Sequence, residues 1–213
     1  MVAARPAALR LAADEDTSKR RQILDGASRV FMDLGFDGAS MGEIARAAGV
    51  SKGTLYVYFA DKNRLFEAIV EQETLEQARM SFNFDTGRDV PTTLRDFGQS
   101  YIQLICRPGG GSAIRTVMAI AERMPDVGRR YYERVLENTI NRLAAYLEAH
   151  VASNDIAIKD CQLAASQFMM TCQASLFLPF IFQAAPPPSP ERIAQVVESA
   201  TQMFLAAYGA KPV

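Results

Sequence analysis

Ser40-Met41-Gly42-Glu43-Ile44-Ala45-Arg46-Ala47-Ala48-Gly49-Val50-Ser51-Lys52-Gly53-Thr54-Leu55-Tyr56-Val57-Tyr58-Phe59-Ala60-Asp61-Lys62 is the stretch that decides the fold. Ser40 followed three residues later by Glu43 is a capping box, which opens a helix by satisfying two free backbone N–H groups reciprocally. Ile44, Ala45 and Ala48 give that helix a small apolar face, and Gly49 stops it. Ser51 caps a second short helix running to about Phe59, with Leu55 and Phe59 four apart on its inner side. Two short helices joined through Gly49-Val50-Ser51 match a helix-turn-helix.

In that motif the second helix enters the DNA major groove with its N-terminal residues toward base edges. Lys52 can donate to guanine, and Tyr56 or Val57 can meet a thymine methyl. Gly53 lets backbone approach closely. Ser40, Thr54, Tyr58 and Lys62 are candidates for phosphate oxygens, which position a protein without reading sequence. From Lys19 to Arg64 there are eight cations and five carboxylates, a local excess of +3 against -1 for the whole chain.

Outward from this stretch the helical period continues. Upstream, Ile23, Ala27, Val30, Phe31 and Leu34 line one face of a helix that Gly35 ends. Lys19, Arg20 and Arg21 are expected in its first turn, where the helix dipole disfavours cations and nearby phosphate would favour them. Downstream, Asp61 caps a helix carrying Leu65, Phe66, Ile69 and Val70. Further helices are expected over Leu94–Cys106, Ala113–Met124 (ended by Pro125), around Tyr132 to Leu147, Asp160–Gln183 and Glu191–Tyr208. The run Pro108-Gly109-Gly110-Gly111 breaks the chain between two of them, and Ser153-Asn154-Asp155 is a turn. The expected fold is all-α: an N-terminal three-helix helix-turn-helix domain, then a helical ligand-binding and dimerisation domain. The boundaries are 1–16 for a flexible tail, 17–62 for the DNA-binding domain and 63–213 for the rest.

The run Gly42 to Phe59, its continuation Ala60 to Phe66, and the preceding helix with Phe31, Gly35 and Phe36 resemble the TetR family of bacterial regulators. Glu122-Arg123-Met124-Pro125 and the helix after it look like the AefR-like subgroup. The resemblance implies a dimer on a palindromic operator in double-stranded DNA, contacted through Ser40, Lys52, Gly53, Thr54, Tyr56, Tyr58 and Lys62. It implies that the last two helices form a bundle between subunits. Tyr58 stands where many members have histidine. The helix Asp160–Gln183 is apolar nearly all round, so one face needs a partner copy or the monomer core.

The middle helices are then expected to enclose a pocket for an unidentified apolar or amphipathic small-molecule effector. Candidate lining residues are Tyr101, Arg115, Met118, Glu122, Tyr132, Phe168, Met169, Cys172 and Phe177; such a stripe also suits plain core. The expected outcome of effector binding is release of DNA, as a repressor would require.

Composition bounds the alternatives. The 213 residues are 49% hydrophobic and 22% charged, ordinary for a soluble globular chain. No apolar run is long enough to span a membrane, and residues 1–13 lack the apolar segment of a secretory leader. Cys106, Cys161 and Cys172 are odd in number and widely spaced, which suits reduced thiols in the cytoplasm, with a redox role for Cys106 or Cys172 as a lesser option. His150 is the sole histidine, so a histidine-rich metal site is excluded, and no cofactor is implied. An all-helical ligand-binding protein or enzyme with an incidental basic segment is the alternative, but the sequence offers it no nucleophile–base pair.

Overall fold

The computed structural model describes residues 7–79, 82–107 and 111–209. Residues 1–6 of the expected tail and Pro108-Gly109-Gly110 of the expected break lie outside them. Every regular element among the described residues is a helix, with one isolated bridge between Ile156 and Gly209. They form two compact units: one runs to Glu73 and includes Thr116–Val127, and the other comprises Thr74–Arg115 and Gly128 onward.

In the first unit, helix α1 spans Ala7–Gly38. It begins inside the stretch 1–16 read from sequence as tail. Lys19, Arg20 and Arg21 therefore sit mid-helix rather than in a first turn, where the helix dipole neither opposes them nor calls for a nearby phosphate. Gly35, at φ 68°, breaks the helical path as expected of a residue without a side chain. Helix α2 spans Met41–Ala47, α3 Lys52–Tyr58 and α4 Lys62–Arg79. Gly26 has no room for a side chain: a Cβ there would lie 2.6 Å from Ala48, so α1 and the end of α2 cross at close range. Around this crossing Ile23, Leu24, Ile44, Leu55 and Leu65 are fully or almost fully buried. Phe31, Phe36 and Phe66 meet ring to ring at 5.5–5.6 Å, offset-stacked or edge-on as aromatic quadrupoles prefer.

The second unit is built mainly from α5 (Val90–Ile105), α8 (Asn138–Ala152), α9 (Cys161–Gln173) and α11 (Pro190–Tyr208). Gly98 brings α5 against α11, since a Cβ there would lie 2.7 Å from Val197. Arg95 and Glu198 bridge the same two helices at 2.5 Å. Phe97, Phe168 and Phe204 fill the centre.

Three expected helices differ. Ala113–Met124 is α6, Ser112–Ile120, which stops before Pro125. Pro125 instead opens α7 (Pro125–Tyr131), because its missing N–H is unneeded in a first turn. The helix around Tyr132 starts as a π-helical turn, Tyr132–Glu137, before α8. Tyr132, the first residue of that wide turn, is 52% exposed. The run Asp160–Gln183 is not one helix: α9 ends at Gln173, and α10 (Phe177–Ile181) starts afresh. In a continuous helix Pro179 would clash with the carbonyl four residues back, whereas in the first turn of α10 it is tolerated.

Candidate nucleic-acid interface

The helix-turn-helix is held by backbone capping at every end. Ser40 Oγ accepts from Glu43 N at 3.2 Å, and Glu43 Oε2 accepts from Ser40 N at 3.0 Å. This bonding to Ser40 holds the Glu43 carboxyl below its ordinary pKa. After α2, Gly49 takes φ 64°. Its N–H donates to Arg46, and that of Val50 to Ala45, the paired bonds that close a helix through a left-handed residue. Two long side chains of α1 take the remaining carbonyls: Gln22 donates to Ala48 O at 2.6 Å and Arg29 to Ala47 O at 2.9 Å. Ser51 Oγ then accepts from Thr54 N at 2.9 Å and starts α3.

Helix α3 has two different sides. Leu55 is fully buried, and the C-cap Phe59 is 5% exposed beneath the guanidinium of Arg20, 5.4 Å from the ring. Outward, Val57 is 83% exposed and Tyr56 47%, beside exposed Lys52 and Gly53. A side chain at Gly53 would meet nothing closer than Ser51 Oγ at 3.7 Å, so internal packing does not demand glycine there. Thr54 is half-buried, its hydroxyl 2.7 Å from Ser51 Oγ.

All four sequence-selected phosphate ligands are engaged within the unit: Ser40 Oγ also donates to Glu43 Oε2 at 2.7 Å, and the Thr54 hydroxyl pairs with Ser51. Tyr58 hydrogen-bonds the Asp16 carboxylate, which raises the phenol pKa and puts a negative group beside α3. Lys62 Nζ donates to Phe36 O at 2.6 Å and Ala39 O at 3.1 Å, with Asp37 O at 3.5 Å. With its three N–H groups turned onto the end of α1, Lys62 holds the fold here rather than facing phosphate, a change from the sequence reading. Sequence reasoning missed Gln22, Arg29 and Asp16, whose partners lie 18 to 42 residues away in the chain.

The nine candidate effector residues separate. Tyr101, Phe168, Met169, Cys172 and Phe177 are core residues of the second unit. Tyr101 accepts a hydrogen bond from Gln173 Nε2, and burial pushes its phenol pKa up. Arg115 donates to Ile181 O at 3.4 Å. Met118 is 68% exposed, Glu122 is exposed, and both belong to the first unit. These two and Tyr132 are thus not enclosed: Met118 and Tyr132 lie on outward helix faces, and Glu122 in the turn after α6. Burial raises the thiol of Cys106 to about 11 and of Cys172 to about 12, which opposes the thiolate that redox sensing needs.

Among the described residues no helix is long and apolar enough to cross a membrane. Residues 23–69 match the family described as bacterial regulatory proteins of the tetR family, and residues 92–210 match the AefR-like transcriptional repressor C-terminal domain. The chain is 29% identical over 149 residues to the HTH-type transcriptional repressor Rv1474c of Mycobacterium tuberculosis, covering 67% of this chain and 74% of that one. A TetR-family regulator from Mesorhizobium loti superimposes with a TM-score of 0.78 at 27% identity, over 91% of this chain and 98% of that one. The flavonoid-responsive regulator FrrA does so with a TM-score of 0.74 at 30% identity, over 92% and 100%.

Proposed function

The chain belongs to the TetR family of bacterial transcriptional regulators, with an AefR-like C-terminal domain, and on that premise we propose that it represses transcription as a homodimer bound to a palindromic operator. The observation that carries the reading is the outer side of α3. Val57 and Tyr56 are apolar groups held in water by a helix whose opposite side is fully buried, with Lys52 next to them. Isolated folding gives no reason to expose them; thymine methyls and guanine edges do. In this reading Lys52, Tyr56 and Val57 meet bases. Gly53 admits the backbone, and Ser40 and Thr54 meet phosphates. Tyr58 joins them by exchanging Asp16 for a phosphate oxygen.

One such helix touches few phosphates, so tight binding needs two, about 34 Å apart on the duplex. Exposed apolar side chains on α9 to α11 support self-association: Leu163, Met170, Leu178, Phe182 and Met203 are each 48–78% exposed. Leu163→Asp with Met203→Asp is expected to give a monomer in sedimentation equilibrium. An apolar or amphipathic effector would favour a dimer in which the recognition helices no longer match the half-site spacing, releasing DNA. The aromatic and sulfur-rich core around Tyr101, Phe168, Met169 and Cys172 supports an effector of that polarity.

The test is a gel shift with DNA from upstream of the protein's own gene across a salt series. Saturable binding that weakens steeply with salt is expected. Absence of saturable binding at low salt would remove DNA recognition from the account.

A further inference from the structure

Two side chains of α1 reach the C-terminal edge of the recognition helix. Asp16 bonds the Tyr58 hydroxyl, and Arg20 carries its guanidinium 5.4 Å from the centre of the Phe59 ring. Residues four apart lie on one face of a helix, so Arg20 shares this edge of α3 with Tyr58, a phosphate ligand in the DNA-bound reading. The helix dipole does not explain a cation mid-helix at Arg20; the aromatic ring beneath it does.

Phe59 is the C-cap of α3 and is buried, so the fold fixes this platform in place. Stacking occupies the face of the guanidinium and leaves the N–H groups, which lie in its plane, open. Arg20 is exposed, and among the described residues those N–H groups have no hydrogen-bond or ion-pair partner. Asp16, one turn earlier on the same face, is engaged with Tyr58 instead. Other cations of the unit donate inward: Lys19 to Gln22, Arg29 to Ala47 O, Lys62 to Phe36 O and Arg64 to Glu67. An oriented planar fork with its donors unfilled suits an anion presenting paired oxygens, which a DNA phosphate does.

We propose that Arg20 binds a phosphate of the DNA backbone at the C-terminal edge of α3, next to the one that Tyr58 meets. This rests on the DNA-binding reading and adds to it a contact from α1. Because the Phe59 ring already orients the side chain, little rotamer freedom is lost when the phosphate arrives. The contact reads no base, so it strengthens binding to every duplex alike.

The full-length protein and its variants Arg20→Gln, Arg20→Lys and Arg21→Gln are titrated with two duplexes across a salt series. One duplex comes from upstream of the protein's own gene, and the other is a scrambled sequence of equal length. For Arg20→Gln the slope of log affinity against log salt is expected to fall by about one unit on both duplexes, which weaken by the same factor. Arg20→Lys keeps the charge and is expected to keep the slope. Arg21→Gln removes an equal charge from a different side of α1 and is expected to leave the slope unchanged. Circular dichroism checks folding; should Arg20→Gln unfold, Arg20→Met, which keeps an apolar stem on the ring, is read in its place. A lower melt with an unchanged slope would make Arg20 a structural prop only and overturns the proposal. An equal fall in slope for Arg21→Gln overturns it too, since net charge alone would then act. In both cases wild-type binding stands; wild-type protein that binds neither duplex would instead remove DNA recognition itself, and this contact with it.

Discussion

The ammonium of Lys62 donates to the carbonyl of Phe36 at 2.6 Å and lies 4.5 Å above the ring of that same residue. One cation thus closes the carbonyl end of α1 after Gly35 has broken the helix, and it fastens the start of α4 to it. The sequence pattern puts Lys62 at the edge of a phosphate-facing segment; the fold turns it inward.

The two roles separate by measurement. Lys62→Met is expected to lower stability by about 1.5–3 kcal/mol, the value of a hydrogen bond to a charged group. The slope of log affinity against log salt is expected to stay unchanged. Loss of a phosphate contact would instead reduce that slope by about one unit with the melt intact.

Two glycines of α1 answer to different physics. Gly26→Ala forces a methyl into Ala48 and should cost about 1–3 kcal/mol through overpacking. Gly35→Ala meets open space and bears only the strain of φ 68°, about 1 kcal/mol. Thermal unfolding of the two variants should rank them in that order.

Asp16 sets a negative charge against Tyr58 on the side of α3 that is proposed to meet DNA. Asp16→Asn removes that charge and frees the phenol hydroxyl. DNA binding is expected to strengthen severalfold at low salt, and the gain to shrink as salt screens it. Fluorescence anisotropy at two ionic strengths checks this; equal affinities at low salt would exclude an electrostatic role for Asp16.

What could be read from the sequence was local. Ser40 with Glu43, Ser51 with Thr54, and Gly49 at the turn all act within three residues, so spacing alone reveals them. Leu55 and Phe59 follow from helical period. Contacts between distant segments were not legible: nothing near Gln22, Arg29 or Lys62 states that each caps a carbonyl 18 to 26 residues away. The end of α9 had a signal that went unused, Pro179 within a run read as continuous helix. The pairing of His150 with Asp155 was also within reach, five residues apart across the expected turn.

The central claim is that the outer side of α3 reads DNA, and Lys52→Ala and Tyr56→Ala test it most directly. Both side chains are exposed, so the thermal melt and the dimer should be unchanged. Affinity for the upstream operator should fall by about tenfold or more in each variant, since a lost base contact is worth about 1–3 kcal/mol. Wild-type operator affinity in both variants would contradict the account.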